Sequence, residues 1–191
     1  IAQAFTAQLD ALGNATITAA DVDNGSSDAC GIQSMSVSPS NFTCANVGAN
    51  TVTLTVTDNN GNQSTATANV TVEDNVNPVA LAQNVTVQLD ATGNGSTTAA
   101  AIDNGSNDAC GIASLTISPS SFTCANVGAN TVTLTVTDNN GNVSTATSIV
   151  TVEDNVDPVA LAQSVSVTLA NGVANITTTD IDNGSDDACG I

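Results

Sequence analysis

Two kinds of side chain in this sequence can do chemistry, the thiol and the carboxylate. Cys30 and Cys44 stand 14 residues apart, as do Cys110 and Cys124, and Cys189 follows alone. Cys30, Cys110 and Cys189 each sit in one recurring decapeptide, read DNGSSDACGI, DNGSNDACGI and DNGSDDACGI. The equal spacing predicts disulfides Cys30–Cys44 and Cys110–Cys124, with Cys189 pairing beyond the chain end. A closed loop of that size is worth on the order of 3 kcal/mol in the chain-entropy model. Bridges of this kind belong to an oxidising, extracellular compartment. A zinc site fits poorly, because one repeat offers two thiols and no histidine.

The carboxylates recur in three clusters. An opening loop carries Asp23 and Asp28, matched by Asp103 and Asp108 and by Asp182, Asp186 and Asp187. A hairpin turn carries Asp58 and Asn60, matched by Asp138 and Asn140. A segment between repeats carries Glu73, Asp74 and Asn75, matched by Glu153, Asp154 and Asp157. The chain has 18 acidic residues and no Lys, Arg or His, a formal charge of −18. Converging carboxylates must then stay solvated or take a cation from outside. Ca2+ accepts six to eight oxygens from carboxylates, amides and carbonyls, which is the chemistry these loops offer. One expected site gathers Glu73, Asp74 and Asn75 with Asp103, Asp108, Asp138 and Asn140. A second gathers Glu153, Asp154 and Asp157 with Asp182, Asp186 and Asp187. The competing reading is that Asp, Asn and Gly are simply good turn residues. No segment matches an EF-hand loop, and both readings stand open.

The same composition excludes several function classes. Phosphate binding needs Lys or Arg, so nucleic acid is excluded as a partner, and an anionic membrane surface with it. Without His, Lys or Tyr there is no conventional acid, base or Schiff-base amine. With Phe5, Phe42 and Phe122 as the only aromatics, a carboxylate pair would lack a sugar platform. The chain is expected not to be an enzyme. No apolar run approaches the length of a membrane span.

The elements that position these residues come from a repeat of 80 residues. Phe42–Asn62 is identical to Phe122–Asn142. The expected domains are 1–76, 77–156 and a partial third, 157–191. Within each repeat the apolar period is two. Val52, Leu54 and Val56 point one way, and Thr51, Thr53, Thr55 and Thr57 the other. The turn Asp58–Asn62 leads to a return strand with Ala66, Ala68, Val70 and Val72 inward. Further strands are expected at STTAAAI, IASLTIS and SFTC, with no helical pattern. The fold class is all-β, a tandem of immunoglobulin-like antiparallel sandwiches of about 80 residues. Entry and exit at opposite ends of each unit call for an odd strand count.

The stretch VGANTVTLTVTDNNGN, closing in EDNVNP, resembles the hyalin-repeat (HYR) family and its PKD-like relatives. Val47, Gly48, Asp58, Gly61, Asn62, Glu73, Asp74 and Pro78 carry the likeness. The whole unit is also similar to repeats of giant bacterial surface adhesins of the SprB gliding type. The resemblance implies an extracellular adhesin stalk or surface filament. EDNVNP resembles the acidic, proline-ended linker of cadherins, which implies calcium stiffening between repeats. The implied partners are neighbouring repeats of the same chain and identical chains in a fibre. The alternative is a repeat array that itself binds carbohydrate or a protein.

Overall fold

The computed structural model describes every residue, Ile1–Ile191. In the first repeat, β1 (Phe5–Gln8), β2 (Asn14–Thr16), α1 (Ala19–Val22), β3 (Ile32–Ser38), β4 (Asn41–Thr43), β5 (Gly48–Asp58) and β6 (Gln63–Glu73) follow in order. The second repeats the series as β7 (Val85–Gln88), β8 (Asn94–Ser96), α2 (Ala99–Ile102), β9 (Ile112–Ser118), β10 (Ser121–Thr123), β11 (Gly128–Asp138) and β12 (Val143–Glu153). Each has a four-stranded sheet, β1-β6-β5-β3 or β7-β12-β11-β9, and a two-stranded sheet, β2-β4 or β8-β10. The fold is the expected immunoglobulin-like sandwich in tandem.

Alternation along the long hairpin builds the core. Val52, Leu54, Ala68, Val70 and Val72 are buried, while Thr51, Thr65, Thr67 and Thr71 remain exposed. Ala7, Leu9, Ile17, Val22 and Phe42 fill the space against them. Each fully buried aliphatic or aromatic side chain stabilises by about 1.5–3 kcal/mol through transfer from water. Phe42 lies on the short strand β4 and is almost wholly enclosed. One aromatic per repeat thus joins the small sheet to the large one.

Two expectations are corrected. STTAAAI is not a strand. Only its first residue extends β8, and Ala99–Ile102 forms a helical turn. Thr98 begins it by accepting the Ala101 N–H through its hydroxyl, and alanine has the best helix propensity of any residue. The strand count is also six, not odd. Opposite entry and exit come instead from β1, which runs parallel to β6 with Phe5 opposite Val70. The first and last strands therefore point the same way.

By contacts the chain forms two compact units. One comprises Ile1–Ala80, Ser106–Ser114 and Val136–Ser144, the other Leu81–Gly105, Leu115–Thr135 and Thr145–Ile191. Two loops of the second sequence repeat thus belong to the first compact unit. In the partial third repeat, Val165, Val167 and Leu169 have the apolar alternation of β1 and β7, but they form no strand and are exposed. Their counterparts are held by the long strands β6 and β12 of their own repeats. Residues 157–191 contain no such strand. The helical turn α3 (Thr178–Ile181) forms regardless, because it needs only a local cap, Thr177 to Asp180.

Candidate disulfide and cation site

The disulfides join one repeat to the next. Cys44 bonds Cys110 and Cys124 bonds Cys189, with Cα separations of 5.2 and 5.1 Å. Cys30 is free and exposed. This corrects the expected pairs Cys30–Cys44 and Cys110–Cys124, and the expectation that Cys189 pairs beyond the chain. The reason lies in strand geometry. Cys30 precedes β3, whose first residue, Ile32, pairs with Asp58 at the far end of β5. Cys44 precedes the near end of β5 at Gly48. An eleven-residue strand rises about 3.3 Å per residue, so its two ends lie some ~33 Å apart. A disulfide needs Cα atoms within about 7 Å. Fourteen residues of sequence are mostly one extended crossing of the sandwich.

Local hydrogen bonds set each cysteine. Asp28, Asp108 and Asp187 each accept the backbone N–H two residues on, from Cys30, Cys110 and Cys189, at 2.8, 2.7 and 2.8 Å. Asn59 and Asn139 donate through Nδ2 to the carbonyls of Cys30 and Cys110, at 2.7 and 2.8 Å. The tip of the long hairpin therefore holds the cysteine loop. On the other side, Gly13 and Gly93 turn with φ of +75° and +72°, and a Cβ there would lie 2.6 Å from the sulfur of Cys44 or Cys124. The turn before β2 or β8 must be glycine for the bridge to lie against it.

The carboxylates separate into three groups. Asp23, Asp103 and Asp182 cap their own turns, each accepting from the N–H two residues on, that of Gly25, Gly105 or Gly184. The Ser26 and Ser185 bonds hold Asp23 and Asp182 below the ordinary carboxylate range. Asp58 and Asp138 knit the hairpin turn. Asp138 accepts the N–H groups of Asn140 and Asn142 at 2.8 Å each, and the Asn142 amide at 2.8 Å. Burial alone would raise the Asp138 pKa, but the donors from Asn142, Asn140 and Gly141 outweigh it and hold it below the usual value. Asn60 and Asn140 contribute through their backbone N–H groups. Glu73 and Asn75 turn to their own first strand, where Gln8 bonds both at 2.8 and 2.6 Å. Glu153 and Asn155 do the same with Gln88. Asp157 is exposed.

Asp74 stands apart from all of these. It lies between Glu73 and Asn75 and points the other way, as neighbours in extended chain do. It is 6% exposed. Its Oδ1 accepts the Val76 N–H at 3.1 Å, and its Oδ2 is buried with no partner. Asn142 donates to the Asp74 backbone carbonyl at 3.0 Å. A carboxylate oxygen of Asp108 and the sulfur of Cys110 lie within 4.8 Å of the Asp74 carboxylate. Asp154, Asp187 and Cys189 repeat the group in the second unit. Both sulfurs are tied in disulfides, so the donors free for a cation are carboxylate oxygens. A buried, unpartnered carboxylate oxygen facing a second carboxylate is costly without a positive charge. The chain has no Lys, Arg or His to supply one. An oxygen-seeking divalent cation such as Ca2+ fits this donor set. Sequence position pointed to Asp74 and Asp108. Their separation from Glu73 and Asn75 follows from the alternation rule applied one residue past the strand.

No protein-family model matches the chain, and no curated protein matches it. Among solved structures it is similar to the extracellular domain of protocadherin gamma-B4, at 18% identity over 84% of this chain and 33% of that one, TM-score 0.37. It is similar to fibronectin(III)-like modules of CbhA from Clostridium thermocellum, at 12% identity over 79% and 91%, TM-score 0.29. Human mucin-like protocadherin EC1-2 shares 14% identity over 79% and 95%, TM-score 0.34. The chain spans about a third of the length of the first of these. No helix is long and apolar enough to cross a membrane.

Proposed function

We propose that this chain is a structural segment of an extracellular adhesin stalk or surface filament, with Ca2+ held at Asp74–Asp108 and Asp154–Asp187. The observation that carries the reading is the direction of the disulfides. Each runs from one sequence repeat to the next, which is what an array needs and an isolated binding module does not. Near-identity of the units, the extended register of Thr on the outer face, and the hyalin-repeat-like residues Gly48, Asp58, Glu73 and Pro78 support it. Disulfides suit an oxidising space outside the cytosol. The orphaned Oδ2 of Asp74 supports the cation.

The test is thermal unfolding of the oxidised chain, titrated with calcium and then with EDTA. Calcium at a hundred times its Kd stabilises by about 2.7 kcal/mol, a rise of several degrees for a chain of this size. Asp74→Asn removes the charge and keeps the shape. Alone it is expected to reduce the calcium response, and together with Asp154→Asn to abolish it, without lowering stability in EDTA. A wild-type Tm that ignores calcium would leave the acidic loops as solvated turns.

A further inference from the structure

We propose that the disulfides make this chain a tether of capped extension, in which most of the chain lies outside the covalent path that carries tension. This goes beyond the stalk reading and does not depend on calcium. The two bridges enclose consecutive loops, with sequence separations of 66 and 65. The loops neither nest nor overlap. A pull applied to the termini runs along the backbone to Cys44 and crosses to Cys110. It then follows the backbone to Cys124 and crosses to Cys189. Residues 45–109 and 125–188 never bear load once the bridges are taut.

What lies on and off the path is specific. The first shielded loop contains β5 and β6, whose Val52, Leu54, Val70 and Val72 are fully buried core residues. The load-bearing link between the bridges is the 15-residue stretch Cys110–Cys124, which holds β9 and β10. Stretched flat at about 3.5 Å per residue, that link spans about 50 Å, whereas a whole 80-residue repeat spans about 280 Å. The disulfide adds its 5.1 Å Cα separation. A repeat bridged in this way yields about a fifth of its backbone length, even when every hydrogen bond has broken. Between Cys44 and Cys189 the sandwich can give way under shock while the reach is capped at about 60 Å, the stretched link plus the two bridges.

The experiment is single-molecule stretching of the oxidised chain held by its two ends, repeated after a reductant is added. The fully stretched length is expected to grow on reduction by about 230 Å for each bridge, from 66 or 65 residues at about 3.5 Å. The Cys44→Ser/Cys110→Ser double variant is expected to show one of these two gains already in the oxidised chain. Because the reading is taken on stretched, unfolded chain, it holds whether or not a variant refolds. A gain of about 50 Å per bridge, the length of 14 residues, would show pairing within repeats and overturn the proposal. So would no gain. Calcium leaves this length unchanged, so a failed calcium titration and a failed stretching result are separate outcomes.

Discussion

At the scale of single residues, the five cysteines make the sharpest distinction. Alkylation of the unreduced, unfolded chain is expected to label Cys30 alone, read by peptide mass. Label on Cys189 would instead mean pairing within repeats. Gly93 offers a second probe. A side chain at its φ of +72° is strained, and its Cβ would press on the Cys124 sulfur at 2.6 Å. Gly93→Ala is expected to lower stability by about 1–3 kcal/mol, through strain at that φ, and to make the second bridge easier to reduce. Asp138 gives a pH signature. Asp138→Asn keeps an oxygen acceptor but sets a second amide against Asn142. The loss is expected to be about 1–3 kcal/mol near pH 7, the cost of an unsatisfied buried group. The Asp138 pKa is lowered by folding. Its contribution is therefore complete above the unfolded value of about 3.9 and is lost as pH falls through the folded value. Denaturation at pH 7, 5 and 3 is expected to show the gap between wild type and variant shrinking at the acid end.

At the scale of elements, the long hairpins were readable because their sequence alternates. Val52, Leu54, Val70 and Val72 face the core as the period of two demands. The turn at Asp58–Asn62 closes where Asp and Gly are placed, with Asp58 accepting from Asn60 and Asn62. Ala99–Ile102 was not readable as a helical turn, since four residues show no helical period. Its only signal is Thr98 before a run of alanines. The disulfide pairing misled for a reason of the same kind. Equal spacing suggests a closed loop, but Ile32–Ser38 spends those residues crossing the sandwich. Counting strand crossings between cysteines, rather than residues, would have placed Cys30 and Cys44 at opposite ends. Phe42, by contrast, is an element-scale anchor visible as the one large side chain of a short strand. Phe42→Ala is expected to cost about 3–5 kcal/mol, measured by denaturant unfolding. A loss below about 1 kcal/mol would mean the small sheet is not held through this side chain.

At the scale of the whole molecule, the stabilising effect of the bridges is of the ordinary kind but larger than short loops would give. A closed loop of 66 residues lowers the entropy of the unfolded chain by an amount worth about 4 kcal/mol. Reduction is expected to lower the Tm markedly and to leave a chain whose core of small aliphatic residues must hold alone. Calorimetry with and without reductant measures the difference. A Tm insensitive to reductant would mean that the sandwiches owe little to their bridges.

The same two bridges also decide what a cut does to the molecule. A backbone break anywhere in residues 45–109 or 125–188 leaves both broken ends attached, since each lies inside a loop closed by sulfur. Proteolytic wear over most of the two full repeats is thus silent for continuity. The stretch Cys110–Cys124 has no second route, and a break there parts the chain. Light digestion by elastase is expected to give fewer bands on a non-reducing gel than once the sample is reduced. A molecule built this way can be nicked many times and still hold together.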